Sequence, residues 1–247
     1  MSLSFDRIEN RNPYPVALAG KKVLYMYTDA DCGKQHIDLP ENETFEQVVN
    51  KDTERTILYV TGMSGAGKSY YTKKYIEKYH KAFPKRTVFM FSSLESDPTL
   101  DKLKYMKRVK INEQKFQVVD LTAQDFKDSL CIFDDCDVIS NKRIRGKVFD
   151  IMNSILQIGR HHNVSCVFTS HNATNGQQTK TILSECHTLT LFPKCSGNKS
   201  LLYLCDSYLG LDSEQSKNLK KIPGRFVTFV RQYPRCIFSE KSASIMN

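Results

Sequence analysis

The sequence predicts an α/β fold in which a mostly parallel sheet is flanked by helices. Apolar runs of strand length recur along the chain, at residues 56–61, 86–91, 130–133, 164–169, 188–192 and 226–230. Segments with helical character alternate with them, at residues 67–81, 143–160, 177–186 and 212–221. Strands that alternate with helices are typical of a parallel sheet covered on both faces. A glycine-rich turn between the first of these strands and the first helix points to the same fold.

The chain is predicted to consist of a lead-in segment and one main domain. Residues 1–54 form the lead-in, with a strand at residues 22–27 and an acidic, loop-rich stretch after it. Residues 55–247 form the main domain, which includes a short additional strand at residues 109–111. The helix at residues 143–160 is predicted from apolar side chains that recur on one face, namely Ile144, Val148, Ile151, Ile155 and Ile158.

Composition indicates a protein that stays in the compartment where it is made. Of its 247 residues 40% are hydrophobic and 26% charged, enough for a sizeable core. No apolar run approaches the roughly 18 residues of a membrane helix, and the N-terminus lacks a signal-peptide pattern. None of the eight cysteines forms a Cys-x-x-Cys pair, so neither zinc nor a redox motif is indicated. A reducing, cytosolic environment is expected.

The charge of the chain allows two interpretations. The formal net charge is +9, which either serves solubility or attracts a polyanion such as nucleic acid. Basic residues cluster in three segments, at positions Lys73, Lys74, Lys78, Lys81, Lys85 and Arg86, at Lys102, Lys104, Lys107, Arg108 and Lys110, and at Lys142, Arg143, Arg145 and Lys147. Charge alone does not decide between these interpretations.

The glycine-rich turn matches the phosphate-loop pattern G-x-x-x-x-G-K-[ST] at every fixed position. Its residues are Gly62, Met63, Ser64, Gly65, Ala66, Gly67, Lys68 and Ser69. Glycines let backbone N–H groups turn towards phosphate oxygens, and the N-terminus of the following helix adds partial positive charge. Lys68 is expected to reach the β- and γ-phosphates, and the Ser69 hydroxyl to bind Mg²⁺. The sequence therefore predicts binding of ATP or another nucleoside triphosphate with Mg²⁺.

An apolar strand that ends in two carboxylates supplies the acidic part of such a site. Asp134 is the candidate Mg²⁺ ligand and Asp135 the candidate base that deprotonates the attacking water. Many phosphate-loop enzymes have glutamate at the second position, so Asp137 remains an alternative base. An Asp-Asp turn after a strand is also common without any catalytic role.

Two further segments contain candidate catalytic residues. Ser170 and His171 follow the strand at residues 164–169, where a polar side chain can sense the γ-phosphate or simply leave the strand for a loop. Arg160 could act as an arginine finger in a neighbouring subunit, or be a solvated arginine favoured by the helix dipole. Arg143 and Arg145 are alternative fingers or DNA-facing residues.

The order of these segments resembles the viral DNA-packaging ATPases of the HerA–FtsK superfamily, found in poxviruses, giant viruses and virophages. The resemblance spans about residues 56–240 and rests on GMSGAGKS, FSSLESDPTLDKLK, LCIFDD, GRHHNVSCVFTSHNATNG, ILSECHTLTLFP and GRFVTFVRQYP. The first and third of these motifs are shared by many ATPases. The segments from Gly159 to Gly176 and from Glu185 to Pro193 are the more specific ones.

The resemblance implies a RecA-like ATPase core that assembles into a homo-oligomeric ring. Such a ring pumps double-stranded DNA into a capsid at a portal-type vertex, in the host cytoplasm where virions assemble or in the virion, with no membrane involved. Carried over by position, Lys68 and Ser69 bind phosphate and Mg²⁺, Asp134 binds the metal and Asp135 acts as catalytic acid or base. His171 stands where cellular members often have glutamine. The alternatives are an ATP-dependent assembly or secretion factor acting on protein, and a phosphate-loop kinase.

Overall fold

A computed structural model describes residues 1–51, 55–109, 111 and 121–246. Its strands are β1 (Ser2–Ser4), β2 (Tyr14–Ala19), β3 (Lys22–Tyr27), β4 (His36–Asp38), β5 (Phe45–Gln47), β6 (Ile57–Thr61), β7 (Thr87–Ser92), β8 (Met106–Val109), β9 (Ser129–Asp134), β10 (Ser165–Ser170), β11 (Thr188–Leu191), β12 (Val227–Val230), β13 (Cys236–Ser239) and β14 (Ser242–Ile245). Its α-helices are α1 (Lys68–Ala82), α2 (Lys142–Ile158), α3 (Gln177–Glu185), α4 (Asn198–Leu204) and α5 (Ser213–Asn218).

The chain folds into two compact units, one comprising Lys51–Cys186 and the other Met1–Asn50 together with His187–Asn247. The predicted boundary at residues 54 and 55 adjoins residues 52–54, which lie outside the described residues. The division into a lead-in and a main domain stays a prediction. The first unit contains the phosphate-loop segment and every candidate site residue predicted from the sequence.

The unit Lys51–Cys186 contains a parallel sheet whose strands, among its described residues, run in the order β8-β7-β9-β10-β6. All side chains of β6, β9 and β10 are buried, as expected for parallel strands covered on both faces. Because the strands are parallel, their carboxyl ends meet at one edge of the sheet, where ligands bind in open α/β sheets. The predicted fold class, a mostly parallel sheet flanked by helices, is confirmed.

Helices α1, α2 and α3 cover this sheet. Helix α1 contacts β6, and helix α2 contacts β10 and packs against α3. The predicted apolar face of α2 is the buried one, apart from Ile158, which is exposed near the helix end. Asn141 begins this helix, since its side chain accepts hydrogen bonds from the N–H groups of Arg143 and Ile144.

One strand prediction needs correction in this unit. The short strand predicted at residues 109–111 is β8, which ends at Val109, and Lys110 lies outside the described residues. The strand between β6 and β9 is β10, and β7 pairs on the other side of β9. The tips of β6, β10 and β9 are therefore neighbours in that order, although β7 and β8 lie between β6 and β9 in the sequence.

The second unit joins the two ends of the chain. One of its sheets has the order β1-β3-β2-β5, and the strands β11-β12-β13-β14-β4 pair antiparallel in that order. The pairing of Ile37 with Ala243 and the edge-to-face contact of Phe45 with Phe238 connect the first 50 residues to the C-terminal segment. In the described part of the chain, no helix is long and apolar enough to cross a membrane.

Candidate nucleotide site

The phosphate-loop segment connects β6 to α1 at the carboxyl edge of the parallel sheet. Gly65 and Gly67 have φ values of 77° and 114°, in the region that glycine adopts readily and other residues rarely do. Gly67 is the second fixed glycine of the pattern, and its backbone conformation explains why glycine is required there, while Gly65 stands at a variable position. The N–H of Gly62 donates to the carbonyl of Ser170 at 3.2 Å, so the loop begins in contact with the end of β10.

Lys68 is buried, and its ammonium group faces the carboxyl ends of the strands. Its Nζ donates to the carbonyl of Gly62 at 2.9 Å and to Nδ1 of His171 at 3.1 Å. The nearest carboxylate oxygen of Asp135 lies 3.9 Å away. Burial lowers the pKa of Lys68 below its usual value, and the charge of Asp135 opposes this shift. Phosphate groups bound in the loop would contact the ammonium group of Lys68, which burial has already separated from part of its water.

Asp134 is the last residue of β9 and is only 2% exposed. Its Oδ1 accepts a hydrogen bond from the hydroxyl of Thr169 at 2.8 Å, and its Oδ2 lies 3.5 Å from the hydroxyl of Ser92. Burial, and then the charge of Asp135, raises the pKa of Asp134 from 3.8 to about 6. The ionised form of this carboxyl group is therefore costly unless a cation lies beside it.

These properties fit the Mg²⁺ that the fold implies. A buried carboxylate with a raised pKa gains stability from a divalent cation, and hydroxyl and carboxylate oxygens are the ligands that Mg²⁺ prefers. Asp134 and the hydroxyl of Ser69, at the first turn of α1, would supply them. When bound, the ion would offset charge on the phosphate oxygens of the nucleotide.

Asp135 follows the strand in a left-handed backbone conformation, with φ 47° and ψ 37°. Its N–H donates to the hydroxyl of Thr169 at 3.1 Å, which fixes the turn. Its Oδ2 lies 2.9 Å from Nε2 of His171. Because Lys68 can only donate, Nδ1 of His171 accepts and Nε2 carries the proton given to Asp135. A hydrogen-bonded path thus runs from Lys68 through His171 to Asp135.

Ser170 and Asp137 form a second, more deeply buried pair. The hydroxyl of Ser170 donates to Oδ2 of Asp137 at 2.9 Å. Asp137 is 7% exposed, and within the described residues its Oδ1 has no hydrogen-bond partner. The hydroxyl of Tyr59 donates to the carbonyls of Asn172 and Ala173, which fixes the loop that carries His171. Ser170 is thus held inside this network, and His171, which is partly exposed, faces the site.

The structure brings together most of the residues predicted for the site. Lys68, Asp134, Asp135 and His171 converge at the tips of β6, β9 and β10. Thr169, which links Asp134 to Asp135, was not predicted. In the sequence, Thr169 stands out only as a hydroxyl residue near the end of a strand. Its role becomes visible in the structure, where it is the register partner of Asp134.

Arg160 is not part of this cluster. It is exposed in a 3-10 turn, Gly159–His162, that precedes β10, at the amino edge of the sheet. Its charge affects Arg55, which precedes β6 at the same edge. At 3.3 Å per residue, the six residues of β10 place Arg160 roughly 20 Å from the carboxyl edge. Arg160 is therefore remote from the cluster of its own subunit, and a role in a neighbouring subunit stays a prediction.

Arg143 and Arg145 lie on the first turn of α2, which follows the acidic segment at the carboxyl edge. Arg143 is exposed, and Arg145 donates to the carbonyl of Ile139 at 3.2 Å. Of the arginines considered from the sequence, these two are on the side of the sheet where the cluster lies.

Comparison with solved structures establishes the fold. No protein-family model matches the chain. The DNA-packaging ATPase B204 of Sulfolobus turreted icosahedral virus is 15% identical with a TM-score of 0.52, covering 76% of this chain and 98% of that one. The cytoplasmic domain of the type VII secretion ATPase EccC of Thermomonospora curvata is 13% identical with a TM-score of 0.54, covering 95% of this chain and 29% of that one. The chain is thus a P-loop ATPase in fold, which confirms the predicted resemblance at this level.

A curated relative covers almost the whole chain. The uncharacterized protein V3 of the Sputnik virophage is 38% identical over 251 residues, which include 99% of this chain and 100% of the relative. Identity at this level over the full length shows common descent and a common fold. The chain belongs to the protein family of Sputnik virophage V3, and its fold is that of the P-loop ATPases.

Proposed function

We propose that this chain is an ATP-hydrolysing double-stranded-DNA translocase that packages a viral genome into a capsid. The observation that supports hydrolysis most strongly is the convergence of Lys68, His171, Asp135 and Asp134 at the carboxyl edge, beside the phosphate loop. The proposed substrate follows from the fold, which is similar to that of B204, a DNA-packaging ATPase. The net charge of +9 favours a polyanionic track.

Each residue of the cluster has a role in the proposed reaction. The loop N–H groups and Lys68 hold the phosphates, while Ser69 and Asp134 hold Mg²⁺. Asp135 accepts a proton from water, whose oxygen attacks the γ-phosphorus as the bond to the bridging oxygen breaks. His171 holds the Asp135 carboxylate in place and, through Lys68, lies close to where the γ-phosphate binds.

The proposal includes an assembly. A homo-oligomeric ring would let one subunit hold DNA while another releases product, and Arg160 of one subunit would complete the site of the next. The ring would dock at a portal-type vertex of the capsid, in the host cytoplasm or in the virion.

ATP hydrolysis with and without long duplex DNA tests this function. We expect DNA to increase turnover at about 50 mM salt and the increase to fall steeply towards about 200 mM, because phosphate contacts release counterions. Lys68→Ala should abolish turnover. Lys127→Ala, at an exposed lysine outside the three basic clusters, is the control and should retain it. Turnover that ignores DNA at low salt would contradict the choice of substrate.

A protein-secreting motor is the second candidate. The fold is similar to that of the secretion ATPase EccC over 95% of this chain. Such a motor should hydrolyse ATP at the same rate with and without DNA, even if it binds duplex DNA. The same assay therefore separates the two functions.

A further inference from the structure

Four tyrosines of helix α1 divide into a buried set and one exposed residue. Tyr71, Tyr75 and Tyr79 recur every four residues and are all buried, so they form the face that packs inward. Tyr70 is 57% exposed and lies outside this face. Packing of the helix therefore explains three of these tyrosines and leaves the position of Tyr70 unexplained.

Tyr70 directly follows Ser69, the last residue of the phosphate loop. In a phosphate loop the lysine reaches the β- and γ-phosphates while the loop N–H groups hold the α- and β-phosphates, and the nucleoside is attached to the α-phosphate. The first turn of α1 is therefore the part of the helix closest to the sugar and the base. Singly exposed apolar side chains are common on protein surfaces, so the position of Tyr70 beside the phosphate loop, and not its exposure, is the observation that matters.

The ring of Tyr70 already has a cation on one face. Nζ of Lys74, one helical turn further on, lies 5.0 Å from the ring centre, within the range of a cation–π interaction. This contact restrains the orientation of the ring. More than half of the residue remains exposed, which leaves room for a flat partner.

We propose that Tyr70 forms the nucleobase subsite of the nucleotide site, with its ring stacked on the base. This inference rests on the proposed ATPase function, because it requires the phosphates to occupy the loop. Stacking favours offset ring contact and tolerates every base, but purines offer the larger surface. The ligand class is therefore a purine nucleoside triphosphate. The face of a tyrosine ring does not discriminate adenine from guanine.

Binding measured by calorimetry in the presence of Mg²⁺ tests the subsite. The ligands are non-hydrolysable analogues of ATP and UTP, and inorganic tripolyphosphate, which has the charges but no base. The variants are Tyr70→Ala, Tyr70→Leu and Tyr70→Phe, with Tyr203→Ala as the matched control. Tyr203 is a tyrosine with similar exposure, 54%, on helix α4. Alanine and leucine both favour helices, so the first turn of α1 should persist in these variants.

We expect Tyr70→Ala and Tyr70→Leu to weaken binding of the ATP analogue by about tenfold, the scale of losing one base–aromatic stack. Tyr70→Phe and Tyr203→Ala should bind it as the wild type does. Tripolyphosphate affinity should be the same in all variants, and the preference for the ATP over the UTP analogue should shrink without the ring.

Two results would overturn the subsite. One is unchanged affinity of Tyr70→Ala and Tyr70→Leu for the ATP analogue. The other is an equal loss for tripolyphosphate, which would mean that the substitution acts on the loop. If the wild type bound neither the analogues nor tripolyphosphate, the ATPase proposal itself would fail, so the two failures are distinguishable.

Discussion

At the scale of single residues, Asp134 is a buried carboxyl group placed for function at a cost to stability. Its pKa is raised from 3.8 to about 6, so its ionised form is less favourable in the folded than in the unfolded chain. A raised carboxyl pKa contributes stability below about pH 4, and this contribution is lost as the pH rises through about 6. At pH 7.5 without Mg²⁺ and nucleotide, the charge of Asp134 therefore opposes folding.

Asp134→Asn should for this reason stabilise the protein while it abolishes hydrolysis. The amide oxygen can still accept the hydrogen bond from Thr169. We expect Tm to rise by about 2–4 °C or more at pH 7.5, since a gain on the order of 1 kcal/mol shifts a chain of this size by that amount. The rise should shrink towards pH 4. Asp150→Asn, at an exposed position of α2, should leave Tm unchanged at both pH values. A lower Tm for Asp134→Asn at pH 7.5 would contradict the assignment.

Asp135 is the proposed base, and its loss should separate binding from turnover. Asp135→Asn should bind nucleotide as the wild type does yet turn over about 10²-fold more slowly or worse, as for other lost general bases. Single-turnover hydrolysis and analogue binding are the measurements. Unchanged turnover would shift the base to Asp137, whose Oδ1 has no hydrogen-bond partner among the described residues.

The residues of the site could be predicted from the sequence better than their connections. Lys68 follows from the fixed positions of the phosphate-loop pattern, and Asp134 and Asp135 follow from the end of an apolar strand. The hydrogen bonds of Thr169 to both acidic residues and of Ser170 to Asp137 depend on the register between β9 and β10. A linear sequence does not contain that register.

At the scale of elements, Arg55 connects the start of β6 to the end of α2. Its Nη1 and Nη2 donate to the carbonyls of Ile155 and Leu156, both at 2.7 Å. These carbonyls belong to the last turn of the helix, where a positive charge is favourable, and the carbonyl of Ile155 also accepts the N–H of Gly159. The contact helps to fix the helix that covers β10, far from the nucleotide.

Arg55→Ala should therefore lower stability without changing nucleotide binding. Losing hydrogen bonds from a charged donor to two half-buried carbonyls costs about 1.5–3 kcal/mol. Urea denaturation should show a lower midpoint, while the affinity for the ATP analogue stays within about twofold because the site is at the opposite edge. Lys127→Ala, exposed just before β9, is the control and should leave the midpoint unchanged. An unchanged midpoint for Arg55→Ala would show that the contact contributes nothing.

In the first unit β6, β9 and β10 could be predicted because each is a continuous buried run. Strand β8, whose side chains are only partly buried, was misplaced. In the second unit only some strands could be predicted: β11 and β12 lie at the predicted residues 188–192 and 226–230, whereas β13 and β14 were not predicted. Of those in residues 1–50 only β3 was predicted, since β1, β4 and β5 have three residues each and gain their stability from distant partners. Strand β4, for example, pairs with β14 some 200 residues away, as the partners Ile37 and Ala243 show.

At the scale of the whole molecule, Arg160 bears on assembly. Its exposed position at the amino edge separates it from its own site, so a catalytic role requires a neighbouring subunit. An arginine supplied by a neighbouring subunit can increase the rate of hydrolysis by about 10³–10⁵-fold. Arg160→Ala and Lys68→Ala should each be inactive alone and regain partial ATPase activity when mixed, because some interfaces combine an intact loop with an intact arginine.

Two outcomes of the mixing experiment would contradict this role. Full activity of Arg160→Ala alone, or no recovery in demonstrably mixed oligomers, would rule out Arg160. Arg143 and Arg145, at the carboxyl edge, would then be tested in the same way.

Movement along duplex DNA is the central claim, and displacement of a third strand measures it directly. A labelled oligonucleotide bound as a triplex on long duplex DNA is released when a motor passes beneath it. We predict release by the wild type with Mg²⁺ and ATP, and none with a non-hydrolysable analogue or with Lys68→Ala. Wild-type protein that binds this DNA and hydrolyses ATP, yet leaves the third strand in place, would contradict the account.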